Sequence, residues 1–251
     1  MPSPARAENA LSAGEVIAKA VARAQKAEAT TAPAGVTYTK ITVTEAFDTA
    51  GNVKEHKERV YHVMFQDGST YLKLEQVNGR PPDAAELKLH AENEANFRLL
   101  SRQPRSAKGD NRENLLSPDL VARFDFTLVT NAPIAGRMAY QIAFRPKNPL
   151  PPAHHIADHF LSRISGIIWI DAEEFEIARA EIGLSSEVDL LGGTVGCLKK
   201  LAYTLNRTRI GEGLWINTSS SGNIEGRKLL DPVRIKTNSR AVNFRALGLP
   251  S

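Results

Sequence analysis

The stretch SGIIWIDAEEFEIARAEI, Ser165–Ile182, sets Asp171, Glu173, Glu174, Glu176 and Glu181 against a dense apolar run that contains Trp169. Two readings compete. Carboxylates beside a tryptophan can be acid–base catalysts, and they can equally be the tip of a β-hairpin. From Gly166 to Ile170 the residues are apolar on both faces, Ile168 and Ile170 on one and Ile167 and Trp169 on the other. A strand apolar on both faces is covered on both faces. Asp171-Ala172-Glu173-Glu174 supplies turn chemistry, because Asp favours the first position of a turn. Phe175 to Ile182 then returns as the partner strand, with Glu176, Ala178 and Ala180 on one face and Phe175, Ile177 and Arg179 on the other. Acids at such a tip are expected to be solvated, which gives no cause for the raised pKa of an acid catalyst. Arg179 and Glu181, two apart on one face, are expected to be charge partners.

Outward from this hairpin the chain continues in strand-like segments: LKKLAYTLNRTRI, LWINTSSSGNIEG and VRIKTNSRAVNFRAL, punctuated by glycines. Upstream, VTYTKITVTEAF, VKEHKERVYHVMF and TYLKLEQV alternate in the period of two and are separated by short turns, a three-strand meander. RFDFTLVT and MAYQIAFRP add two more strands. Helices are few. Ser12-Ala-Gly-Glu15 has the spacing of a capping box, and Val16, Ile17, Ala20, Val21 and Ala24 follow at helical spacing, predicting a helix over 12–29. Pro81-Pro82-Asp83 opens a second helix to about Ser101, with Leu87, Ala91, Phe97 and Leu100 for its buried stripe, and a short helical piece spans Leu115 to Val121. The strands do not alternate with helices as a parallel sheet requires. The fold class is therefore α+β: one large, curved antiparallel sheet with helices covering one face.

With 251 residues, 42% of them hydrophobic, the chain can bury a large core, and a net charge of +4 does not point to nucleic acid. The basic excess is concentrated at the end: from Lys199 onward there are ten Lys or Arg against three acids. That pattern suits an anionic membrane or an acidic protein partner, and it is also the pattern of solvated outer strand faces. The single cysteine, Cys197, permits no intramolecular disulfide and reads as a small buried hydrophobe. No run approaches the roughly 18 apolar residues of a membrane helix. Ala5-Arg6-Ala7 before Glu8 fits the small-residue site cut by signal peptidase. Residues 1–10 are accordingly read as a signal-peptide remnant or disordered start, 11–251 as a single domain, and the protein as exported to the periplasm or cell envelope.

His155 and His159, four apart, with Asp158 and His154 beside them, are the best metal candidates, but no third ligand stands at a recognisable spacing. There is no Gly-x-Ser-x-Gly elbow, and LLGGTVGCL lacks the Lys-Ser/Thr of a phosphate loop. The reading assigns no catalytic residue, no metal ligand and no cofactor.

IAGRMAYQIAFRP, a connection, SGIIWIDAEEFEIARAEI and the following antiparallel run resemble bacterial exported proteins related to the lipoprotein carriers LolA and LolB. The likeness extends through the first helix, the meander and the VNGRPPDAAE step into the second helix. It implies an unclosed, half β-barrel with helices plugging its concave side, whose apolar cavity receives a lipid or lipoprotein acyl chain. A non-enzymatic carrier or chaperone-like role follows, with an envelope sensor or protein-interaction module on the same scaffold as the alternative and a metal-dependent hydrolase third. The polar loop over Arg102–Asn114 and the proline-rich link to His155 are longer than in the short carriers. Phe126, Tyr140, Phe144, Trp169 and Trp215, aromatic residues on expected strands, are the candidate ligand wall.

Overall fold

The computed structural model describes residues 11–29, 36–66, 69–102, 116–149, 160–190, 196–229 and 231–246. The first helix, α1 (Ala13–Ala29), starts at the expected capping box: the Ser12 amide donates to Glu15 Oε2 at 2.8 Å, and the Glu15 amide donates to Ser12 Oγ at 3.3 Å. The meander follows as β1 (Val36–Phe47), β2 (Val53–Gln66) and β3 (Ser69–Val77), closed by Asn78 and Gly79, both at positive φ. Then come α2 (Ala84–Arg102), the short α3 (Pro118–Val121), β4 (Phe124–Ile134) and β5 (Arg137–Pro146). Ala135 (φ 49°) and Gly136 (φ 79°) join β4 to β5 as a two-residue turn of the hairpin-favouring hand. The chain continues through β6 (Ile164–Asp171), β7 (Ile177–Leu184), β8 (Val188–Leu190), β9 (Gly196–Gly211), β10 (Leu214–Lys228) and β11 (Asp231–Ala246).

All eleven strands join one antiparallel sheet in the order β3-β2-β1-β11-β10-β9-β7-β6-β5-β4, with β8 paired to β9. The first and last strands of that order do not pair, so the sheet is not closed into a barrel. The expected α+β class, with a large antiparallel sheet, is what the structure has.

Cross-strand partners share a face, so the registers trace rows along the sheet. One row runs Leu128, Ile142, Ile168, Ala180, Leu205, Ser220, Ser239, Thr42 and Arg59; the next runs Phe126, Phe144, Gly166, Ile182, Tyr203, Gly222, Thr237, Thr44 and Lys57. Over β4 to β9 these rows are apolar, and α1 seats on them: Val16, Ile17 and Ala20 are buried with Ile142, Phe144, Ile168, Ala180 and Leu205. Full burial is worth about 1.5–3 kcal/mol per large aliphatic side chain, so this seam holds α1 in place. Gly166 is required on it. A Cβ there would lie 1.9 Å from the Glu181 carbonyl oxygen and 3.0 Å from Phe144 Cε1.

The central hairpin departs from expectation in two ways. Phe175 lies in the turn with φ 56°, and the return strand begins only at Ile177. A register shift between Trp169 and Ile170 then places Ile177 opposite Ile170, both buried, while Arg179 stands opposite Trp169 on the other face. Ile177 and Arg179 therefore do not share a face. Further on, β7 and β8 are separated at Ser185 and Ser186, where the Ser185 amide and hydroxyl both donate to the Arg163 carbonyl.

Candidate functional site

The concave face has three zones. The first, under α1, contains most of the expected ligand wall. Phe144 is buried and meets Phe124 edge-on with centroids 5.4 Å apart, and Phe126 packs against the same cluster. Tyr140 stacks with Phe175 at 6.4 Å, and Lys19 of α1 lies 4.9 Å over the Phe175 ring. These aromatics face a helix that already fills the space above them. Trp169 lies on the opposite, convex face, in the row of Gln141, Arg179, Asn206 and Ser219, with the Arg179 guanidinium 5.3 Å over its ring. Among the described residues its cover is this cation–π contact. Arg179 Nε also donates to Glu181 Oε1 at 3.0 Å, the expected charge pair.

The rim beside α1 holds Trp215 and three of the hairpin acids, Asp171, Glu174 and Glu176, largely withdrawn from solvent, while Glu173 is exposed as expected. Asp171, 1% exposed, accepts from Arg137 Nε (2.6 Å) and Nη2 (3.0 Å) and from the amides of Glu174 (2.8 Å) and Glu173 (3.1 Å). Burial pushes its pKa up, but the Arg137 hydrogen bonds and the two amides outweigh that and hold it below the usual carboxylate value. Glu174 accepts from Trp215 Nε1 and Arg209 Nε, both at 2.6 Å, and burial is again outweighed, so its pKa is lowered too. Glu176 accepts from Arg207 Nη1 at 2.8 Å and pairs with Arg23 of α1 at 3.3 Å. Every one of these partners lies outside the hairpin except its own turn amides. The lowered carboxyls of Asp171 and Glu174, held in ion pairs, suit locking, and neither is poised to give a proton near neutral pH.

The second zone is the middle of the sheet, β10, β11 and β1. The described apolar contacts of α1 end at Tyr203 and Leu205 on β9, and those of α2 fall on β2 and β3. Between them the inner rows carry Ser220, Ser239 and Thr42; Gly222, Thr237 and Thr44; and Ile224, Ile235 and Ala46, with Leu201 beside Ile224. No side chain in these three rows exceeds isoleucine in size; the next inner row, toward Tyr38, carries Ala241 and Lys40. Thr42 Oγ1 and Ser239 Oγ pair at 2.9 Å, and Ile224 remains 37% exposed. A Cβ on Gly222 would make only an ordinary 3.7 Å contact with Tyr203, so that position leaves floor open without a steric need for glycine. Tyr38 and Phe244, rings 5.5 Å apart, stand toward the other end of β1 and β11.

The third zone is a recess of about 220 Å³ between α2 and β2–β3, lined by Lys57, Arg59, Tyr61, Glu86, Leu89 and His90 among others. Of the stripe expected on α2, Leu87 and Ala91 are both exposed, and the side chains of Phe97 and Leu100 lie outside those described. Leu87 is 47% exposed, whereas Glu86 and His90 face the sheet, His90 Nε2 donating to the Leu72 carbonyl at 2.8 Å. Burial raises the Tyr61 phenol, against the opposing pull of Arg59.

Sequence reading missed the last two zones. The trough's signal was present as small residues at alternate positions of TSSSGNIEG, Ser220 and Gly222, and at Thr42 and Thr44 in VTYTKITVT. Only the pairing of distant strands makes a floor of them. Arg234, Lys236 and Arg240 lie on the convex face, where Glu225 sits 3.8 Å from Arg234 and 3.4 Å from Lys200, and Lys236 pairs in register with Glu45. Acids thus interleave with the basic strands. His154, His155 and His159 lie outside the described residues; among those described, no group of three His, Cys, Asp or Glu is placed to hold a metal. No described helix is long and apolar enough to cross a membrane.

No protein-family model and no curated protein matches the chain. Solved structures do match over nearly its whole length. A DUF1329 family protein from Desulfovibrio piger is 13% identical, with 96% of each chain covered and a TM-score of 0.36. A LolA superfamily protein from Nitrosomonas europaea is 11% identical over 96% of each chain, TM-score 0.31. The MucA/MucB complex of Pseudomonas aeruginosa matches at 11% identity over 93% of this chain and 99% of that one, TM-score 0.26. The distant resemblance seen in the sequence is thus met again among solved structures, and at these scores it assigns this chain no role.

Proposed function

We propose that this protein is a non-enzymatic binding protein of the cell envelope that holds the acyl chain of a lipid or lipoprotein on the concave face of its sheet. The observation that carries this reading is the trough over β10, β11 and β1. It is a floor of glycine, small hydroxyl and aliphatic side chains between two helix-covered zones, with Ile224 left 37% exposed. Each methylene moved from water onto such a floor contributes about 0.8 kcal/mol, so a chain can be held with no catalytic group. The aromatics under α1 are support for the floor in this reading rather than its wall. Residues 11–251 act as one unit, since the trough is built by pairing β1, near the start, with β10 and β11, near the end.

The alternative, a charge-driven partner surface on the basic C-terminal strands, is less well supported because Glu225 and Glu45 interleave with Arg234 and Lys236. Export follows from the Ala5-Arg6-Ala7 site and belongs to the same proposal. Native mass spectrometry of the protein purified from its host tests it. A chain-bearing lipid released on organic extraction is expected; protein that carries none, and that also fails to take up a fluorescent fatty acid, would refute it.

A further inference from the structure

The recess beside α2 adjoins the trough on the same face. Lys57 stands opposite Thr44 and Arg59 opposite Thr42, so both cations extend the rows that floor the trough. Among the described residues, Lys57 has only a 4.0 Å contact with Glu86, and no ion pair is formed by Arg59. Glu86 is the one acid lining the recess, and its charge is already engaged. It takes two bonds from Arg80, at 2.9 and 3.0 Å, and one from the Asp83 amide at 3.0 Å. Lys57 and Arg59 against Glu86 leave the lining net positive. Tyr61 adds a phenol, and Leu89, 49% exposed, puts an apolar side chain beside the cations.

From this arrangement we infer that the recess between α2 and β2–β3 is an anionic headgroup subsite, in which Lys57 and Arg59 hold the phosphate or carboxylate of an amphiphile whose chain lies in the trough. The inference rests on the chain-binding reading above and narrows it to anionic amphiphiles. The spacing is suitable. From β2 to β10 is three inter-strand steps, about 14 Å at 4.7–4.9 Å each; Arg59's own row crosses Thr42, Ser239 and Ser220, so a chain with its head at Arg59 or Lys57 runs obliquely over Thr44 and Thr237 toward Ile235 and Ile224. Arg and Lys differ in their use here: the guanidinium offers a planar pair of donors to one anion, and the ammonium a point charge. A bare anion would gain only the recess, whereas an amphiphile gains both zones at once.

The test is calorimetric titration of the full chain, below each detergent's micelle concentration, with dodecyl phosphate, neutral dodecyl maltoside and inorganic phosphate. It uses the wild type, Lys57→Gln, Arg59→Gln and Arg59→Lys, with thermal melts confirming that each variant folds. Dodecyl phosphate is expected to bind at least tenfold more tightly than either other probe. Lys57→Gln and Arg59→Gln should each weaken it about tenfold or more, the scale of a lost charged hydrogen bond, while leaving dodecyl maltoside unchanged; Arg59→Lys should lose less. If both detergents bind equally and no variant separates them, the headgroup subsite is refuted while chain binding stands. If inorganic phosphate binds as tightly as dodecyl phosphate, the recess is a free-anion site and the inference fails. If neither detergent binds, the chain-binding reading falls and the subsite with it.

Discussion

Replacing Asp171 by Asn is the sharpest test of how the central hairpin is held. The carboxylate is 1% exposed and accepts four hydrogen bonds, two from Arg137 and two from the amides of Glu173 and Glu174. An amide of the same size can accept on one atom only, and it turns two donors of its own toward groups that already donate. Breaking a buried pair by removing one partner costs about 3–5 kcal/mol. Arg137 is 27% exposed and keeps Glu173 at 2.8 Å, so it is not stranded, and the lower end of that range applies, about 3 kcal/mol. For a chain of this size that lowers the melting temperature by about 6–12 °C. The pH dependence has a definite sign. The folded-state pKa is lowered, so the contribution is full above the unfolded value of about 3.9 and is lost as pH falls through the folded value. Scanning calorimetry between pH 3 and 7 should show wild type and Asp171→Asn converging at the acid end. A variant that melts with the wild type at pH 7, or a gap that does not shrink on acidification, would refute this account of the hairpin.

Other substitutions probe the sheet and its helix. Gly166→Ala pushes a methyl group against the Glu181 carbonyl at 1.9 Å, so a loss of about 1–3 kcal/mol in denaturant melts is expected. Gly222→Ala meets only Tyr203 at 3.7 Å and should melt within about 1 kcal/mol of wild type; equal losses at the two glycines would contradict the close packing assigned to β6 and β7. Ser12→Ala removes the hydroxyl of the α1 capping box and should cost about 1 kcal/mol in the same melts.

The strands themselves and the α+β class were legible because alternation and turn residues are local signals. β1 and β5, and the Asn78-Gly79 and Gly136 turns, fall where the pattern puts them. The hairpin's faces were not, and the reason is specific. Ile167 to Ile170 is apolar throughout, so a period of two cannot decide whether Ile168 or Trp169 turns inward. The decision is made by α1, whose Val16 and Ile17 fit against Ile168 and Ile170, and by the shift after Trp169. Asp171, Glu174 and Glu176 were misread as solvated because Arg137, Arg207, Arg209 and Trp215 lie 31 to 41 residues away from the carboxylates they bind. The trough and the recess were hidden for the same reason: Thr42 and Ser239 are 197 residues apart in the chain, yet their hydroxyls touch.

The location of the bound chain tests the central claim most directly. A fatty acid carrying a diazirine on its chain, photolysed with the protein and mapped by peptide mass spectrometry, should label β10, β11 and β1 at or beside Ile224, Ile235 and Thr42, saturably and in competition with unlabelled fatty acid. Saturable labelling at Trp169 and Ile167 on the convex face, labelling confined to Phe126 and Phe144 under α1, or no saturable labelling at all would contradict the account.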